Sequence, residues 1–113
     1  MAEVTKDIVD KAYEAVEIAR KSGKIKKGVN ETTKAVERKV AKLVLVAKDV
    51  NPPEVMMHLS PLCKEKEVPC VMVPSREELG AAAGLGVATS SVAITKEGDA
   101  KDIINEITKK LAA

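Results

Sequence analysis

The sequence predicts an α/β domain in which helices cover both faces of a central sheet. Short segments rich in Val, Ile and Leu alternate along the chain with longer segments whose apolar residues recur at helical spacing. That alternation is typical of α/β proteins, whose central strands are buried on both sides. The chain has 113 residues, of which 45% are hydrophobic. We therefore expect residues 1–113 to form a single domain with a substantial core.

Five helices are predicted from their apolar spacing and from residues that favour helix ends. Gly23 is suited to end the first helix. Asn30 and Asp99 are the expected N-caps of the second and last helices, and Ser75 with Glu78 forms a capping box for the fourth. The predicted helices cover residues 5–21, 30–39, 54–66, 75–84 and 99–111, with a turn over 49–54 before the third.

Four strands are predicted between these helices. KLVLVA, VPCVMV and SSVAIT have the length and apolar content of buried strands, whereas KIKK is short and mostly charged. The predicted strands are 24–27, 42–47, 68–73 and 90–95.

The charge of the chain is distributed unevenly. The formal net charge is only +2, but residues 20–42 carry nine Lys or Arg against two Glu, so this segment has a charge of +7 and the rest −5. A basic segment on a mildly acidic body indicates a local site for a polyanion. A lysine-rich, solvated face is the alternative explanation.

Composition argues against several classes of protein. The chain has no Phe or Trp and a single Tyr, so it cannot build the aromatic platform on which RRM and OB-fold proteins stack bases. The charged N-terminal residues do not form a signal peptide, and no apolar run approaches the ~20 residues of a membrane helix. We expect a cytoplasmic protein with reduced cysteines.

Enzymatic and metal sites are poorly supported by the sequence. His58, Cys63 and Cys70 match no paired zinc motif, and His58 and Cys63 diverge on one predicted helix. Both cysteines are most simply buried, and a nucleophilic cysteine is the weaker alternative. The glycines after residue 80 follow a helix and precede a strand, which is the reverse of a dinucleotide-binding motif. We expect no enzyme activity, metal or cofactor.

The stretch KIKKGVNETTK, residues 24–34, is the first candidate binding segment. Glu31 and Lys34 share one face of the predicted helix, where Glu31 can accept from a base N–H and Lys34 can donate to a base. Lys26, Lys27 and the N–H groups after Gly28 can hold phosphates. The alternative is an ordinary capped helix with an intrahelical Glu31–Lys34 pair.

The second candidate segment is GLGVATSS, residues 84–91. A connection with Leu85 and Val87 normally buries both side chains in the core, and this is the favoured expectation. If they face outward beside the basic helix, they can instead pack against an unstacked base.

These stretches resemble a known family. KKGVNETTK is similar to the KKG-x-NE-xx-K signature of the kink-turn RNA-binding ribosomal proteins, and the whole chain resembles the archaeal large-subunit members of the L-seven-Ae type. VLVAKDVNPPE, PCVMVPSREELG and GVATSSVAI resemble further family motifs in the same order and spacing. The resemblance extends from about residue 10 to the end of the chain. Gly86 departs from it, because many archaeal members carry an acidic residue there.

The resemblance implies a three-layer α/β/α sandwich around a mixed sheet of about four strands. It implies that Asn30, Glu31 and Lys34 contact guanines of tandem sheared G·A pairs, and that Lys27 and Gly28 approach the RNA backbone. The loop would cover a flipped nucleotide. With the basic residues of the segment, the expected RNA-binding set is Lys26, Lys27, Gly28, Asn30, Glu31, Lys34, Arg38, Lys39, Lys42, Leu85, Val87 and Ala88.

The implied partners are kink-turn RNAs and the proteins that assemble on them. They are ribosomal RNA, box C/D and H/ACA guide RNAs, ribonuclease P RNA and the core proteins of the guide particles. The free protein is expected to be a monomer. The alternative function is a protein-interaction module of the same fold, in which the basic strip meets an acidic partner and Asn30 and Glu31 merely cap a helix.

Overall fold

The computed structural model describes residues 6–49 and 54–112 and has the predicted alternation of helices and strands. Of the predicted first helix and of the turn over 49–54, Thr5 and residues 50–53 lie outside the described residues. The elements are α1 (Lys6–Ser22), β1 (Lys24–Lys27), α2 (Val29–Glu37), β2 (Leu43–Ala47), α3 (Glu54–Glu65), β3 (Cys70–Val73), α4 (Arg76–Ala82), β4 (Ser91–Lys96), a 3₁₀ turn (Gly98–Ala100) and α5 (Lys101–Ala112).

The four strands form one mixed sheet in the order β1-β4-β2-β3. β4 is antiparallel to both of its neighbours, and β2 is parallel to β3. The charged strand β1 lies at an edge, where one side of a strand has no pairing partner in the sheet. The apolar strand β2 lies inside the sheet and is fully buried.

Each face of the sheet is covered by its own apolar cluster, as the sequence predicts. On one face, α1, α4 and α5 bury side chains such as Val16, Leu79 and Ile107 against alternate residues of the sheet. On the other face, α2 and α3 contribute Val36 and Leu59. The fold is therefore the three-layer α/β/α sandwich with a mixed four-stranded sheet that the resemblance implies.

Ser75 and Asp99, both predicted N-caps, have different outcomes. Ser75 caps α4 as predicted, because its Oγ accepts from the N–H of Glu78 at 3.2 Å. The prediction that Asp99 caps the last helix is wrong, since Asp99 lies inside the 3₁₀ turn that leads into α5. Its own N–H donates to Ser22 Oγ at 2.9 Å, which fastens this turn to the end of α1.

No helix within residues 6–49 and 54–112 combines the length and the apolar character that crossing a membrane requires.

Candidate functional site

Gly28 joins the edge strand β1 to helix α2 and fixes where the helix begins. Its φ of 90° and ψ of 160° lie in a region that is essentially limited to glycine. The Gly28 N–H donates to the Ser91 carbonyl at 2.9 Å, and its carbonyl accepts the first helical bond from Thr32 at 3.0 Å. The prediction of Asn30 as the N-cap is wrong, because this glycine turn starts the helix two residues earlier.

The first turn of α2 is open to a ligand. Gly28 has no side chain with which to cap the helix. The N–H groups of Val29, Asn30 and Glu31 find no acceptor in the part of the chain that the structure describes. Such N–H groups carry partial positive charge and bind anions readily.

The side chains of Asn30, Glu31 and Lys34 on α2 make no hydrogen bond or ion pair with the residues that the structure describes. All three residues are exposed. Within the described ranges, no ion pair joins Glu31 to Lys34, so the intrahelical pair of the alternative explanation does not form. The carboxylate can accept and the ammonium can donate, and both remain free to do so with a bound molecule.

Basic side chains flank α2 at both ends. Lys26 and Lys27 are exposed on β1, immediately before Gly28. Arg38, Lys39 and Lys42 are exposed after the helix, which ends at Glu37 rather than near Lys39 as predicted. The predicted basic residues therefore lie along one helix and the strand that leads into it.

In the connection after α4, Leu85 and Val87 were both expected to be buried, but their environments differ. Leu85 is half-buried and packs against the core, as the sequence predicts. The prediction for Val87 is wrong, because its side chain is 72% exposed, and Ala88 beside it is exposed as well. Together with Gly86 and two residues of α4, they line an open cavity of about 450 Å³ formed by Glu77, Ala81, Leu85, Gly86, Val87 and Ala88.

Two glycines hold this connection against α4. Gly84, with φ of 78°, ends the helix in a left-handed conformation, and the Leu85 N–H then donates to the Gly80 carbonyl at 2.8 Å. A Cβ at Gly80 would lie 2.2 Å from the Val87 carbonyl oxygen. The missing side chain at Gly80 therefore lets the backbone of Val87 pack directly on the helix and leaves the Val87 side chain outside.

A small buried polar cluster joins this connection to the start of α2. Ser91 Oγ donates to Thr32 Oγ1 at 3.3 Å, and both residues are fully buried. The Ser91 carbonyl accepts from the Gly28 N–H and from the Thr89 hydroxyl. The two candidate segments thus meet at the first residue of β4.

Sequence reasoning missed Thr32, Thr89 and Ser91, which position the site. The only sequence signal is that a threonine falls on the apolar side of α2, in line with Ala35 and Val36. The hydroxyl that meets it is 59 residues away along the chain. Spacing within one segment does not reveal such a contact.

Of the three residues considered for metal or nucleophilic chemistry, the two cysteines meet, but His58 is not brought to them. His58 is exposed on α3, whereas Cys63 on the same helix is buried. A hydrogen bond with Cys63 and burial raise the pKa of the Cys70 thiol, which disfavours a thiolate nucleophile. Within the described ranges, no group of three or more His, Cys, Asp or Glu side chains is arranged to hold a metal ion.

Comparison with known proteins finds a matching family and similar solved structures. Residues 10–104 match the ribosomal protein L7Ae/L30e/S12e/Gadd45 family. The fold is similar to that of the Giardia lamblia 15.5kD RNA binding protein, with a TM-score of 0.89 and 31% sequence identity. That alignment covers 96% of this chain and 90% of the Giardia chain.

Proposed function

The chain belongs to the ribosomal protein L7Ae/L30e/S12e/Gadd45 family, and we propose that it is a non-enzymatic protein that binds kink-turns in RNA. Its targets are ribosomal RNA, where it is a constituent of the large subunit in an archaeal ribosome, box C/D and H/ACA guide RNAs, and ribonuclease P RNA. It acts in the cytoplasm, is a monomer when free, and meets the core proteins of the guide particles on the RNA.

The open first turn of α2 is the observation that carries this proposal. A tandem sheared G·A pair leaves the guanine O6 and N1–H accessible. Glu31 accepts from the guanine N1–H, while Lys34 and Asn30 donate to guanine acceptors. Lys26 and Lys27 contact the phosphates on either side, and the free N–H groups after Gly28 receive one as well. These groups are exposed and lack partners among the described residues, so binding breaks no interaction that they make there.

The exposed part of the second segment covers the flipped nucleotide. Val87 and Ala88 offer an apolar surface to an unstacked base, and Leu85 supports that surface from the core. No aromatic side chain is needed, because this recognition uses shape and polar base edges.

The alternative of a protein-interaction module is less well supported. It assigns Asn30 and Glu31 only a capping role, whereas Gly28 occupies the cap position and the Glu31–Lys34 pair is absent from the described residues. The resemblance to an RNA binding protein across nearly the whole chain also favours RNA.

The test is a titration of the protein against a short kink-turn RNA and against the same RNA with its G·A pairs changed to Watson–Crick pairs. We expect tight binding to the first and a large loss with the second. Glu31→Ala and Lys34→Ala should each weaken kink-turn binding by about 1–3 kcal/mol, the scale of a good base contact.

Matched controls are available in the same protein. Glu37→Ala removes an exposed acid at the other end of α2, and Lys109→Ala removes an exposed lysine on α5. Neither should change the dependence on the G·A pairs. Equal, weak binding of the wild type to both RNAs would refute the proposal, and it would direct attention to an acidic protein partner.

A further inference from the structure

Two lysines lie on neighbouring strands at the end of the sheet that is away from Gly28. Lys24 of β1 is the register partner of Lys96 of β4, across an irregularity that shifts the antiparallel register between Lys24 and Ile25, and both residues are exposed. Like charges brought this close on neighbouring strands repel each other. The sequence separates these residues by 72 positions, so this juxtaposition is produced by the fold alone.

Lys42 adds a third positive charge at the same end. Its N–H donates to the carbonyl of Ile94 at 2.6 Å, and Leu43 beside it is paired with Ile94 in the sheet. We call these three exposed residues, Lys24, Lys42 and Lys96, the lysine corner.

No lysine of the lysine corner makes an ion pair with a described residue. The ion pairs of the described residues lie within and between α1 and α5, on the opposite face of the sheet from α2. Glu97 follows Lys96 and is half-buried, but it makes no ion pair with a lysine of the corner. The repulsion among the three lysines is therefore reduced only by solvent or by a bound anion.

The lysine corner is continuous with the site at the start of α2. Lys26 and Lys27 lie between Lys24 and Gly28 on the exposed edge strand, and this stretch extends over about 10 Å at ~3.3 Å per residue. Helix α2 runs from the first residue of β4, where Ser91 holds Gly28, towards Lys42, which bonds Ile94 near the end of that strand. A basic surface thus connects both ends of the sheet.

We propose that the lysine corner holds the phosphate backbone of a double-helical arm that extends from the kink-turn. This inference rests on the proposed function and assigns Lys24 and Lys96 as further RNA contacts. A length of about 10 Å spans only a few base-pair steps of a duplex. The arm adds affinity that does not depend on sequence, whereas the first turn of α2 reads the guanines.

A duplex is favoured over a single strand because the surface offers only charge. The sole aromatic residue, Tyr13, is half-buried on α1, and its hydroxyl donates to the Ser75 carbonyl at 3.2 Å. Proteins that hold unpaired strands normally add aromatic stacking to their basic grooves. Phosphates of a paired arm need no such surface.

The test measures affinity against salt concentration for Lys24→Gln, Lys96→Gln and the double variant. The RNA is a kink-turn with two full arms, beside versions in which one arm or the other is trimmed to its first base pairs. We expect each single change to reduce the salt slope by about one and the double change by about two. When the trimmed arm is the one that the lysine corner contacts, the variants and the wild type should have the same salt slope.

Two controls separate this inference from the proposed function. Lys109→Gln removes the same charge on the opposite face of the sheet and should keep the wild-type slope. The double variant should keep the preference for intact G·A pairs and, without RNA, should unfold at a slightly higher temperature because its like-charge pair is gone.

The possible failures differ from each other. If the wild type prefers intact G·A pairs but the double variant keeps the wild-type salt slope, the lysine corner is not an RNA contact and only this inference is overturned. If the slope falls equally with every trimmed RNA, the surface attracts any anion and the assignment to an arm is wrong. If the wild type ignores the G·A pairs, both proposals are refuted.

Discussion

At the scale of single residues, Lys39 and Glu67 adopt the left-handed backbone conformation in which glycine is usually found. Their φ angles are 58° and 60°. Each follows a helix whose last carbonyls are satisfied in the same way, with Val40 donating to Ala35 at 3.0 Å and Val68 to Cys63 at 2.8 Å. A non-glycine residue in this conformation costs roughly 1–2 kcal/mol. Strain alone therefore does not mark the binding site, because only Lys39 belongs to the predicted RNA surface.

Replacing these two residues by glycine separates strain from function. Lys39→Gly and Glu67→Gly should each raise the free energy of unfolding by about 0.5–1 kcal/mol, since relief of strain exceeds the added entropy of the unfolded chain. Only Lys39→Gly should also weaken kink-turn binding and lower its salt slope, because it alone removes a positive charge. Denaturant unfolding and RNA titration check this. A Lys39→Gly protein with unchanged affinity and salt slope would exclude Lys39 from the interface.

The capping residues explain which local predictions are reliable. The Ser75 hydroxyl and the Glu78 N–H are three positions apart and need only each other, so this N-cap could be predicted from sequence. Asn30 failed as a cap because the conformation of Gly28 allows an earlier start. Asp99 failed because it lies inside a 3₁₀ turn, which is fastened to Ser22, 77 residues away. A capping residue predicted from local sequence is wrong where a glycine conformation or a hydrogen bond with a distant residue makes the helix begin elsewhere.

At the scale of elements, α4 and the connection after it form one unit. Thr89 donates to the Arg76 carbonyl at 3.1 Å, and Leu85 donates to Gly80, so the connection is bonded to both ends of the helix. Because of this attachment, Leu85 packs against the core whereas Val87 is exposed. The sequence predicts the helix and the strand on either side, but the outward position of Val87 depends on the close approach of its backbone to Gly80.

Gly80→Ala tests whether this unit positions the second segment. The added Cβ would lie 2.2 Å from the Val87 carbonyl oxygen, so the backbone must move. We expect a loss of about 1–3 kcal/mol in the free energy of unfolding, as is usual for overpacking, together with weaker kink-turn binding. Gly86→Ala is the matched control, because a Cβ there meets nothing within 4 Å. A Gly80→Ala protein as stable and as tightly binding as Gly86→Ala would contradict this role.

At the scale of the whole molecule, the two faces of the sheet differ in how their charges are used. Glu31 and Lys34 on the α2 face, and the lysine corner at the end of the sheet, make no ion pairs among the described residues. On the other face, Asp7 and Lys11 of α1 form a network with Glu106 and Lys110 of α5. The fold class and this overall charge asymmetry could be predicted from sequence. The network could not, because its members are 95 to 103 residues apart.

The network makes a prediction about stability in acid. A hydrogen bond from Lys110 lowers the pKa of Asp7, and one from Lys11 lowers that of Glu106. Because both pKa values are lower in the folded protein, the network's stabilisation is complete above their ordinary values of 3.8 and 4.5 and is lost as pH falls through the folded values. The stabilisation is small, since these side chains are exposed and screened by salt.

Lys110→Gln should therefore lower the melting temperature slightly at pH 7 and by less at pH 2, which lies below the ordinary pKa values of both carboxyls. Lys109→Gln, which removes a neighbouring exposed lysine that has no ion pair with the described residues, should leave the melting temperature almost unchanged at both values. Thermal unfolding followed by circular dichroism, at low and at high salt, measures all of these differences. Because the network lies on the face away from α2, Lys110→Gln should also keep the wild-type affinity for a kink-turn. A destabilisation by Lys110→Gln that was as large at pH 2 as at pH 7 would mean that its side chain acts through packing and not through its charge.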